Sequence, residues 1–282
     1  MVQIRVAFQG EPGAYSEAAA LALLGEDIQP VPFPSFDAVF EAVEKNGFER
    51  AIVPVENSLA GSIHRNYDLL LQNHLSIIGE YSLRVSHCLM VKPGVELNAI
   101  RRVYSHPQAL AQCEQSLRSL GDQVQVIATQ DTAGSARLLR DEGWDDAAAI
   151  ASERAAQIYG LSIIKRDFED EPSNFTRFMA LARDPLPLGT LPAPASCKTS
   201  IAFAGKNEPG LLFRCLSAFA LRNIDLCKIE SRPMRGVPWE YIFYIDFSGH
   251  PGEERCQRAL DHLKEMTTFM RLFGSYPRAL GI

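Results

Sequence analysis

Polar side chains with possible chemical roles follow or begin two apolar runs that are typical of β-strands. Glu56–Ser58 come directly after the run Arg50–Val55, and Thr176 and Arg177 begin a run that is otherwise apolar. Hydroxyl and amide groups at strand ends are either turn formers or ligands. An arginine there is either a fork for a carboxylate or a surface charge. Three polar residues in a row exceed what one turn needs, so the first pattern favours a binding site.

A second group of polar residues flanks a predicted helix start in Tyr104–Cys113, YSHPQALAQC. Pro107 suits the first helical position, which makes His106 the N-cap residue. Ser105 and Gln108 then flank a helix N-terminus with its partial positive charge. His106 has no Cys or Ser partner at a recognisable nucleophile spacing. The pattern therefore gives no support to nucleophilic catalysis.

Two glycines bracket a proline in Gln9–Ser16, between a predicted strand and a predicted helix. Gly10 and Gly13 either let backbone N–H groups approach an anion or form a tight turn. The segment is not a G-x-G-x-x-G motif and lacks the lysine of a P-loop. The six cysteines have no metal-ligand spacing, so no metal site is predicted. The candidate hydroxyl, amide and arginine side chains together suit an anionic substrate that needs positioning and a proton donor.

Composition excludes several classes of function. The 28 Lys and Arg against 34 Asp and Glu give a net charge of −6, so no surface for nucleic acid is expected. The longest apolar stretches, such as Ala18–Leu24, are far shorter than the ~20 residues of a membrane helix. No signal-peptide pattern is present, so we expect a cytoplasmic protein without a membrane partner.

The order of predicted elements is typical of an α/β protein, and 282 residues correspond to two domains at roughly 150 residues each. Short apolar runs alternate with helical windows such as Phe36–Lys45, whose apolar residues are spaced i, i+3, i+4, i+7. The predicted elements also include strands at Arg102–Ser105 and Ala147–Ala151, a helix over Gln108–Leu120, N-caps at Ser35 and Asp131, and a helix start at Pro209. Asp184–Ala195 contains four prolines and reads as a linker. Residues 196–282 follow a β-α-β-β-α-β order, which is the ferredoxin-like order. We therefore predict the domain boundary in the proline-rich segment.

Together these segments resemble prephenate dehydratase followed by a C-terminal ACT regulatory domain, and the resemblance covers essentially the whole chain. The specific stretches are YSHPQALAQC (104–113), NFTRF (174–178) and NEPGLLFRCLSAFALRNIDLCKIESRP (207–233). ENSLAGSIHRNYDLLL (56–71) is closer to the style of plant arogenate dehydratases.

The resemblance implies a fold, a domain division and a reaction. Residues 1–184 would form the catalytic domain, with two α/β subdomains like those of a type II periplasmic binding protein and the active site in the cleft between them. Residues 185–195 would be the linker, and 196–282 the βαββαβ ACT domain. The implied reaction converts prephenate to phenylpyruvate with loss of water and CO2 in L-phenylalanine biosynthesis, and it needs no metal or organic cofactor.

Matching motifs carry the family's site residues onto this chain. Thr176 would assist the departing hydroxide, Arg177 would hold a substrate carboxylate, and Glu56 would be a second substrate-binding residue. The remaining catalytic candidates are Asn57, Ser58, Ser105 and Gln108.

The resemblance also implies regulation by L-phenylalanine at the ACT domain, in a homodimer or homotetramer. The effector-binding candidates are Asn207, Pro209, Gly210, Leu211, Leu212, Glu230, Ser231, Arg232 and Pro233. Leu211 stands where the family usually has a small alanine. Its side chain crowds the effector pocket if it points inward and is harmless if it packs against the helix.

Two alternative functions stay open. Arogenate carries an amino group where prephenate has a keto group, so an arogenate dehydratase needs a hydrogen-bond acceptor or carboxylate near that group, and the sequence locates none. A non-catalytic amino-acid sensor with the same two domains is the other alternative. It has no need to keep Thr176 beside Arg177.

Overall fold

The computed structural model describes residues 3–45, 47–234, 236–237 and 239–279. The strands, in chain order, are β1 (Ile4–Gln9), β2 (Ile28–Phe33), β3 (Arg50–Asn57), β4 (Gly61–Ser62), β5 (Ser76–Arg84), β6 (Cys88–Val91), β7 (Arg102–Ser105), β8 (Gln125–Ala128), β9 (Ala147–Ala151), β10 (Ser162–Lys165), β11 (Phe175–Ala182), β12 (Cys197–Ala204), β13 (Leu226–Pro233), β14 (Tyr241–Ser248) and β15 (Phe269–Pro277). The α-helices are α1 (Tyr15–Leu24), α2 (Phe36–Glu44), α3 (His64–Gln72), α4 (Pro107–Gln112), α5 (Glu114–Arg118), α6 (Thr132–Glu142), α7 (Glu153–Tyr159), α8 (Leu211–Ala220) and α9 (Glu254–Met266).

The chain forms two compact units. The N-terminal unit comprises residues 1–73 and 81–178, and the C-terminal unit comprises residues 74–80 and 179–282. His74–Glu80 belong to the C-terminal unit because the buried Glu80 carboxylate pairs with Lys198 Nζ at 2.9 Å and the Arg271 side chain donates to Leu75 O. The proline-rich segment contains two short 3-10 helices, Leu188–Thr190 and Pro194–Ser196.

The first sheet has the strand order β2-β1-β3-β11-β5, with β4 paired to β3. The strands β1, β2 and β3 are parallel, and their apolar residues form a core with α1 and α2. Pro30 and Pro32 both lie in β2, which is an edge strand, where a missing N–H costs no ladder hydrogen bond. The polar residues that follow β1, β2 and β3 therefore meet at one edge of the sheet.

The second sheet of the N-terminal unit has the order β10-β6-β9-β7-β8. The strand β9, with the sequence AAAIA, is fully buried because β7 is parallel on one side, β6 is antiparallel on the other, and α6 and α7 pack against it. Asp131 caps α6 and Ser152 caps α7 through their side-chain oxygens. Because β7, β8 and β9 are parallel, the polar residues that follow them lie at one edge of this sheet.

The C-terminal unit contains an antiparallel sheet in the order β13-β14-β12-β15. The helices α8 and α9 lie on one face, with a core formed by residues such as Phe203, Phe219 and Phe247. The predicted β-α-β-β-α-β order is present.

Two details differ from the predicted elements. The expected helix over Gln108–Leu120 is divided into α4 and α5 at Cys113, whose φ of −117° departs from helical geometry. Pro209 does not start α8, because Gly210 is the N-cap residue with a φ of 81°, a conformation that favours glycine. Among the described residues, no helix combines the length and the apolar character that a membrane span requires.

Candidate active site

A cavity of about 580 Å³ lies in the N-terminal unit, at the carboxyl ends of its parallel strands. Its wall includes Asn57 from β3, Thr176 and Phe178 from β11, and Gln108 from α4. Cavities of this size hold a small-molecule ligand. Of the predicted catalytic residues, the structure brings Asn57, Thr176 and Gln108 together here.

The starts of five helices converge on this cavity. The lining residues at or just before a helix start are Ala14 at α1, Ser35 at α2, Ile63 at α3, His106 at α4 and Asp131 at α6. Each helix start carries a partial positive charge and outward-pointing backbone N–H groups. The cavity therefore attracts anions without a formal positive charge.

Among the described residues that line the cavity there is no lysine or arginine. Two carboxylates line it, and both are engaged. The Asp131 side chain accepts from Gly134 N, and Asp37 pairs with Arg65. The electrostatics thus favour a ligand whose negative groups meet backbone N–H donors. No group of three His, Cys, Asp or Glu suited to a metal ion occurs in the described part of the chain.

The side-chain amide of Asn57 has a fixed orientation. Its Oδ1 accepts from Leu59 N at 3.1 Å and from Ala60 N at 2.9 Å. The Nδ2 group therefore faces Thr176 Oγ1, at 3.0 Å, and Asn174 Oδ1, at 2.8 Å. Thr176 accepts this hydrogen bond and lines the cavity, so its hydroxyl can donate to a group bound there.

Three residues that the sequence interpretation missed form a chain along the cavity wall. The buried His87 lies with Nδ1 2.8 Å from the Tyr15 hydroxyl and Nε2 2.9 Å from Gln112 Oε1. Burial lowers the pKa of His87, although Gln112 and Glu169 act in the opposite direction. Gln112 lies one helical turn after Gln108, and this spacing places both on one face of a helix. That signal was available in the sequence, whereas nothing marked His87.

Ser58 and Ser105 were predicted to be catalytic, and the structure places neither on the cavity wall. The Ser58 hydroxyl donates to Ser173 O and accepts from Phe175 N, so it joins the end of β3 to the start of β11. Ser105 is fully buried, and its hydroxyl donates to Ile150 O at 2.6 Å. Both hydroxyl protons are used in holding neighbouring strands together.

Arg177 was predicted to hold a substrate carboxylate, and the structure does not place it on the cavity wall. Successive side chains of a strand point to opposite faces, so Thr176 and Phe178 face the cavity and Arg177 does not. Its guanidinium lies 4.0 Å from the Glu56 carboxylate, which also does not line the cavity. The pair links neighbouring strands on the other face of the sheet.

We expect Arg177→Gln to change KM for the substrate by less than about threefold while lowering the free energy of unfolding by about 1–2 kcal/mol. The loss is limited because Glu56 is partly exposed. Steady-state kinetics and thermal unfolding of the same preparation measure both quantities. A large rise in KM at unchanged stability would restore the original assignment.

The glycine segment forms a tight turn that packs inside the N-terminal unit. Gly13 N donates to Glu17 Oε2 at 2.5 Å, and Gly13 O accepts from the Ser152 hydroxyl. Gly13 has a φ of 90°, and a Cβ there would lie 2.7 Å from Ala155 Cα. The Gly13 N–H is therefore committed to a carboxylate, and the turn interpretation of the segment is the one the structure supports.

In the C-terminal unit, the predicted effector-binding residues lie in two stretches, and one hydrogen bond joins the first stretch to the loop between β13 and β14. Asn207 Nδ2 donates to Trp239 O at 3.0 Å, and Pro233 at the end of β13 pairs with Tyr241. Leu211 packs over Gly205, where a Cβ would lie 3.0 Å from Leu211 Cδ1, and against the core of this unit. The remaining candidates occupy the same stretches, before and at the start of α8 and along the edge strand β13: Pro209, Gly210, Leu212, Glu230, Ser231 and Arg232.

Comparison with known proteins gives consistent matches. A family model described as prephenate dehydratase matches residues 6–186. Arogenate dehydratase/prephenate dehydratase 2 of Arabidopsis thaliana, a chloroplastic protein, is 50% identical over 284 residues, which cover 98% of this chain and 73% of the relative.

Two solved structures resemble the whole chain. The protein GqqA, described as a novel type of quorum quenching acylase, is 35% identical with a TM-score of 0.89, and the match covers 98% of each chain. Prephenate dehydratase from Arthrobacter aurescens, solved in complex with L-Phe, is 31% identical with a TM-score of 0.89, covering 98% of this chain and 90% of that one.

The expected cytoplasmic location is wrong. The Arabidopsis relative described above and two further Arabidopsis dehydratases are named as chloroplastic proteins, and this finding overturns the expectation. The expectation rested on the absence of a signal-peptide pattern, and that absence does not distinguish one compartment inside the cell from another.

The matches extend far beyond a shared motif. The family model spans more than half of the chain, and a relative with half its residues identical spans nearly all of it. The same regions of the sequence build the cavity with its Asn57–Thr176 pair. The chain belongs to the prephenate dehydratase family.

Proposed function

We propose that the chain dehydrates and decarboxylates prephenate to phenylpyruvate in L-phenylalanine biosynthesis. The observation that carries the proposal is the Thr176 hydroxyl on the cavity wall, which accepts a hydrogen bond from Asn57 Nδ2 and so keeps its own proton for a group in the cavity. A donor to the leaving oxygen contributes about 10²–10⁴-fold to such a step. Threonine is a poor free acid, so it acts as a hydrogen-bond donor or relays a proton.

The reaction has a simple balance. The bond from ring carbon C4 to its hydroxyl breaks, and the oxygen leaves as water with a proton delivered at the site. The bond to the ring carboxylate breaks as CO2 departs, and its electron pair enters the ring, which becomes aromatic. Both substrate carboxylates are negative in the ground state, so the convergent helix starts supply the positioning.

Substrate choice is between prephenate and arogenate. The Arabidopsis relative described above carries both activities in its name. The decisive experiment is the ratio of kcat/KM values for purified protein on the two substrates, with ultraviolet detection of phenylpyruvate and chromatographic detection of phenylalanine. Absence of product above the acid-catalysed background with both substrates would contradict catalysis and favour an amino-acid sensor.

We further propose that residues 1–184 form the catalytic domain, with two subdomains of the periplasmic-binding type, and that the linker is 185–195. Residues 196–282 are then an ACT domain that binds L-phenylalanine. Three observations support this: the ferredoxin-like sheet order, the meeting of Asn207 with the loop that follows β13, and the L-Phe bound by the Arthrobacter relative. The outward edge of β13 gives a second subunit a place to pair in a homodimer or homotetramer.

We expect L-phenylalanine to bind the intact protein and to inhibit it, because Leu211 packs into its own unit and leaves the effector stretch uncrowded. Isothermal titration should give saturable heat at millimolar ligand or below, and Asn207→Ala should weaken it. The exposed Asn98 of the N-terminal unit offers a control, because Asn98→Ala should leave the heat unchanged. No heat at millimolar ligand would contradict the proposal.

A further inference from the structure

The carboxylate of Asp37 lies on the cavity wall and has no part in the reaction steps described above. Asp37 belongs to the first turn of α2, whose N-cap residue is Ser35. The Ser35 hydroxyl accepts a hydrogen bond from Ala38 N at 3.2 Å, so the side-chain cap of this helix is already supplied. The Asp37 carboxylate is therefore left for another contact.

Arg65 holds one oxygen of this carboxylate. Its Nη2 group donates to Asp37 Oδ1, and Arg65 itself does not line the cavity. Among the described residues, no other donor is bonded to the Asp37 side chain. A carboxylate has acceptor sites on both oxygens, so Oδ2 is available to a donor bound in the cavity. The ion pair thus offers the cavity a positioned acceptor.

The second carboxylate of the wall, Asp131, is placed differently. Asp131 is the N-cap residue of α6 and accepts from Gly134 N. A Cβ at Gly134 would lie 2.9 Å from Asp131 Oδ2 and 3.0 Å from Oδ1, so both oxygens lie against the start of their own helix. Of the two wall carboxylates, Asp37 is the one whose oxygens are not committed to a helix cap.

Asp37 and Thr176 lie on parts of the wall that are well separated across the first sheet. The helix α2 follows β2, and three strand spacings, about 14 Å, separate β2 from the Thr176 strand β11. Prephenate and arogenate carry the leaving hydroxyl at one end of the ring and the amino-acid or keto-acid side chain at the other. Bond lengths give about 7 Å between that oxygen and the side-chain nitrogen, and a hydrogen bond of about 3 Å at each end extends the span to about 13 Å. A substrate whose hydroxyl meets Thr176 therefore has the length to bring its side chain to Asp37.

We propose that Asp37 is a specificity-determining residue that accepts a hydrogen bond from the ammonium group of arogenate. An ammonium group has donors only, and a keto oxygen has acceptors only. The carboxylate therefore attracts the first and repels the second, which separates the two substrates by affinity. Arg65 is a positioning residue, because it holds Oδ1 and leaves Oδ2 to the substrate. The inference rests on the dehydratase function proposed above and assigns the acceptor that arogenate requires.

Asp37→Asn tests the proposal, because it removes the charge, keeps the shape and supplies an NH2 group that can donate to a keto oxygen. We expect the ratio of kcat/KM for arogenate to kcat/KM for prephenate to fall at least about fivefold, which is the upper end for a partly exposed ion pair. The Asp37 side chain is 57% exposed, so a much larger change is not expected.

The division between KM and kcat gives a second measure. The ammonium group is remote from the bonds that break, so its contact with Asp37 has the same strength before and during the reaction. In Asp37→Asn, KM for arogenate should therefore rise while kcat stays within about twofold of wild type. Asp37→Glu keeps the charged acceptor and should hold the ratio within about threefold of wild type. A glutamate variant with the same ratio as the asparagine variant would contradict the role of the charge.

The matched control is Glu153→Gln. Glu153 is an acidic residue in the first turn of α7, its helix is capped by Ser152, and its carboxylate pairs with Arg166. Glu153 differs from Asp37 in that it does not line the cavity, so its loss should leave the ratio unchanged. The control separates substrate binding from the general stabilisation that an acidic residue gives to a helix start.

Three outcomes would count against these proposals in distinguishable ways. Equal losses for both substrates in Asp37→Asn, or an unchanged ratio, would reduce Asp37 to a structural role and overturn the inference. A wild-type protein that turns over prephenate alone would also overturn it and leave the dehydratase function intact. Failure of the wild-type protein to turn over either substrate would instead refute the proposed function.

Discussion

Thr176→Ala is expected to lower kcat at least about 100-fold while KM changes little. The side chain contributes through its hydroxyl proton, and this contact strengthens as negative charge develops on the leaving oxygen, so the loss falls on the transition state. Because Thr176 is buried and small, alanine leaves the strand in place. Single-turnover and steady-state kinetics on prephenate measure the effect.

Thr176→Ser is the matched comparison, because serine keeps the hydroxyl and its acceptor site for Asn57 Nδ2. It should retain an intermediate kcat, since the missing methyl group leaves the hydroxyl more freedom to rotate. An alanine variant with more than half of the wild-type kcat would remove Thr176 from the reaction.

Asn57→Asp should also lower kcat at least about 100-fold, for a different reason. The carboxylate still accepts from Leu59 N and Ala60 N, so the turn is retained. Its other oxygen, however, takes the place of a donor and accepts the Thr176 hydroxyl proton, which then no longer points to the substrate. The new negative charge also repels an anionic substrate.

Far-ultraviolet circular dichroism and the unfolding midpoint check that the Asn57→Asp variant folds. Asn98→Asp adds the same charge at an exposed position of the same unit and should leave kcat unchanged. An Asn57→Asp variant with normal kcat would show that the direction of the Asn57–Thr176 hydrogen bond is irrelevant to the reaction.

The fold was largely predictable because its elements have local signals. The predicted strands Arg102–Ser105 and Ala147–Ala151 have the observed limits, since apolar runs between polar ends are rarely ambiguous. The caps at Ser35 and Asp131 were recognisable from residue type alone. The division of the predicted helix at Cys113 was not recognisable, because the N-terminus of α5 is capped by Asp170, which lies far away in the sequence.

The site was only partly predictable. A sequence motif identifies the segment that contributes to the site, but the alternation of side chains along a strand determines which of them face the cavity. The motif NFTRF contains two neighbouring polar residues, Thr176 and Arg177. Because side chains alternate along β11, Thr176 lines the cavity and Arg177 does not. Ser105 lies within the right segment and bonds to a neighbouring strand instead. His87 stands alone in the sequence and becomes central only because Tyr15 and Gln112 reach it from two helices.

The five helix starts around the cavity also affect how substrate arrives. The field of a helix start fades within about one turn, so these dipoles hold a bound anion without reaching into solvent, while the net charge of −6 on the whole chain repels a dianion at a distance. Dissolved salt screens the long-range repulsion and leaves the short-range contacts almost intact. Substrate capture should therefore become faster, not slower, as ionic strength rises. An enzyme that gathers anions with surface lysines behaves in the opposite way.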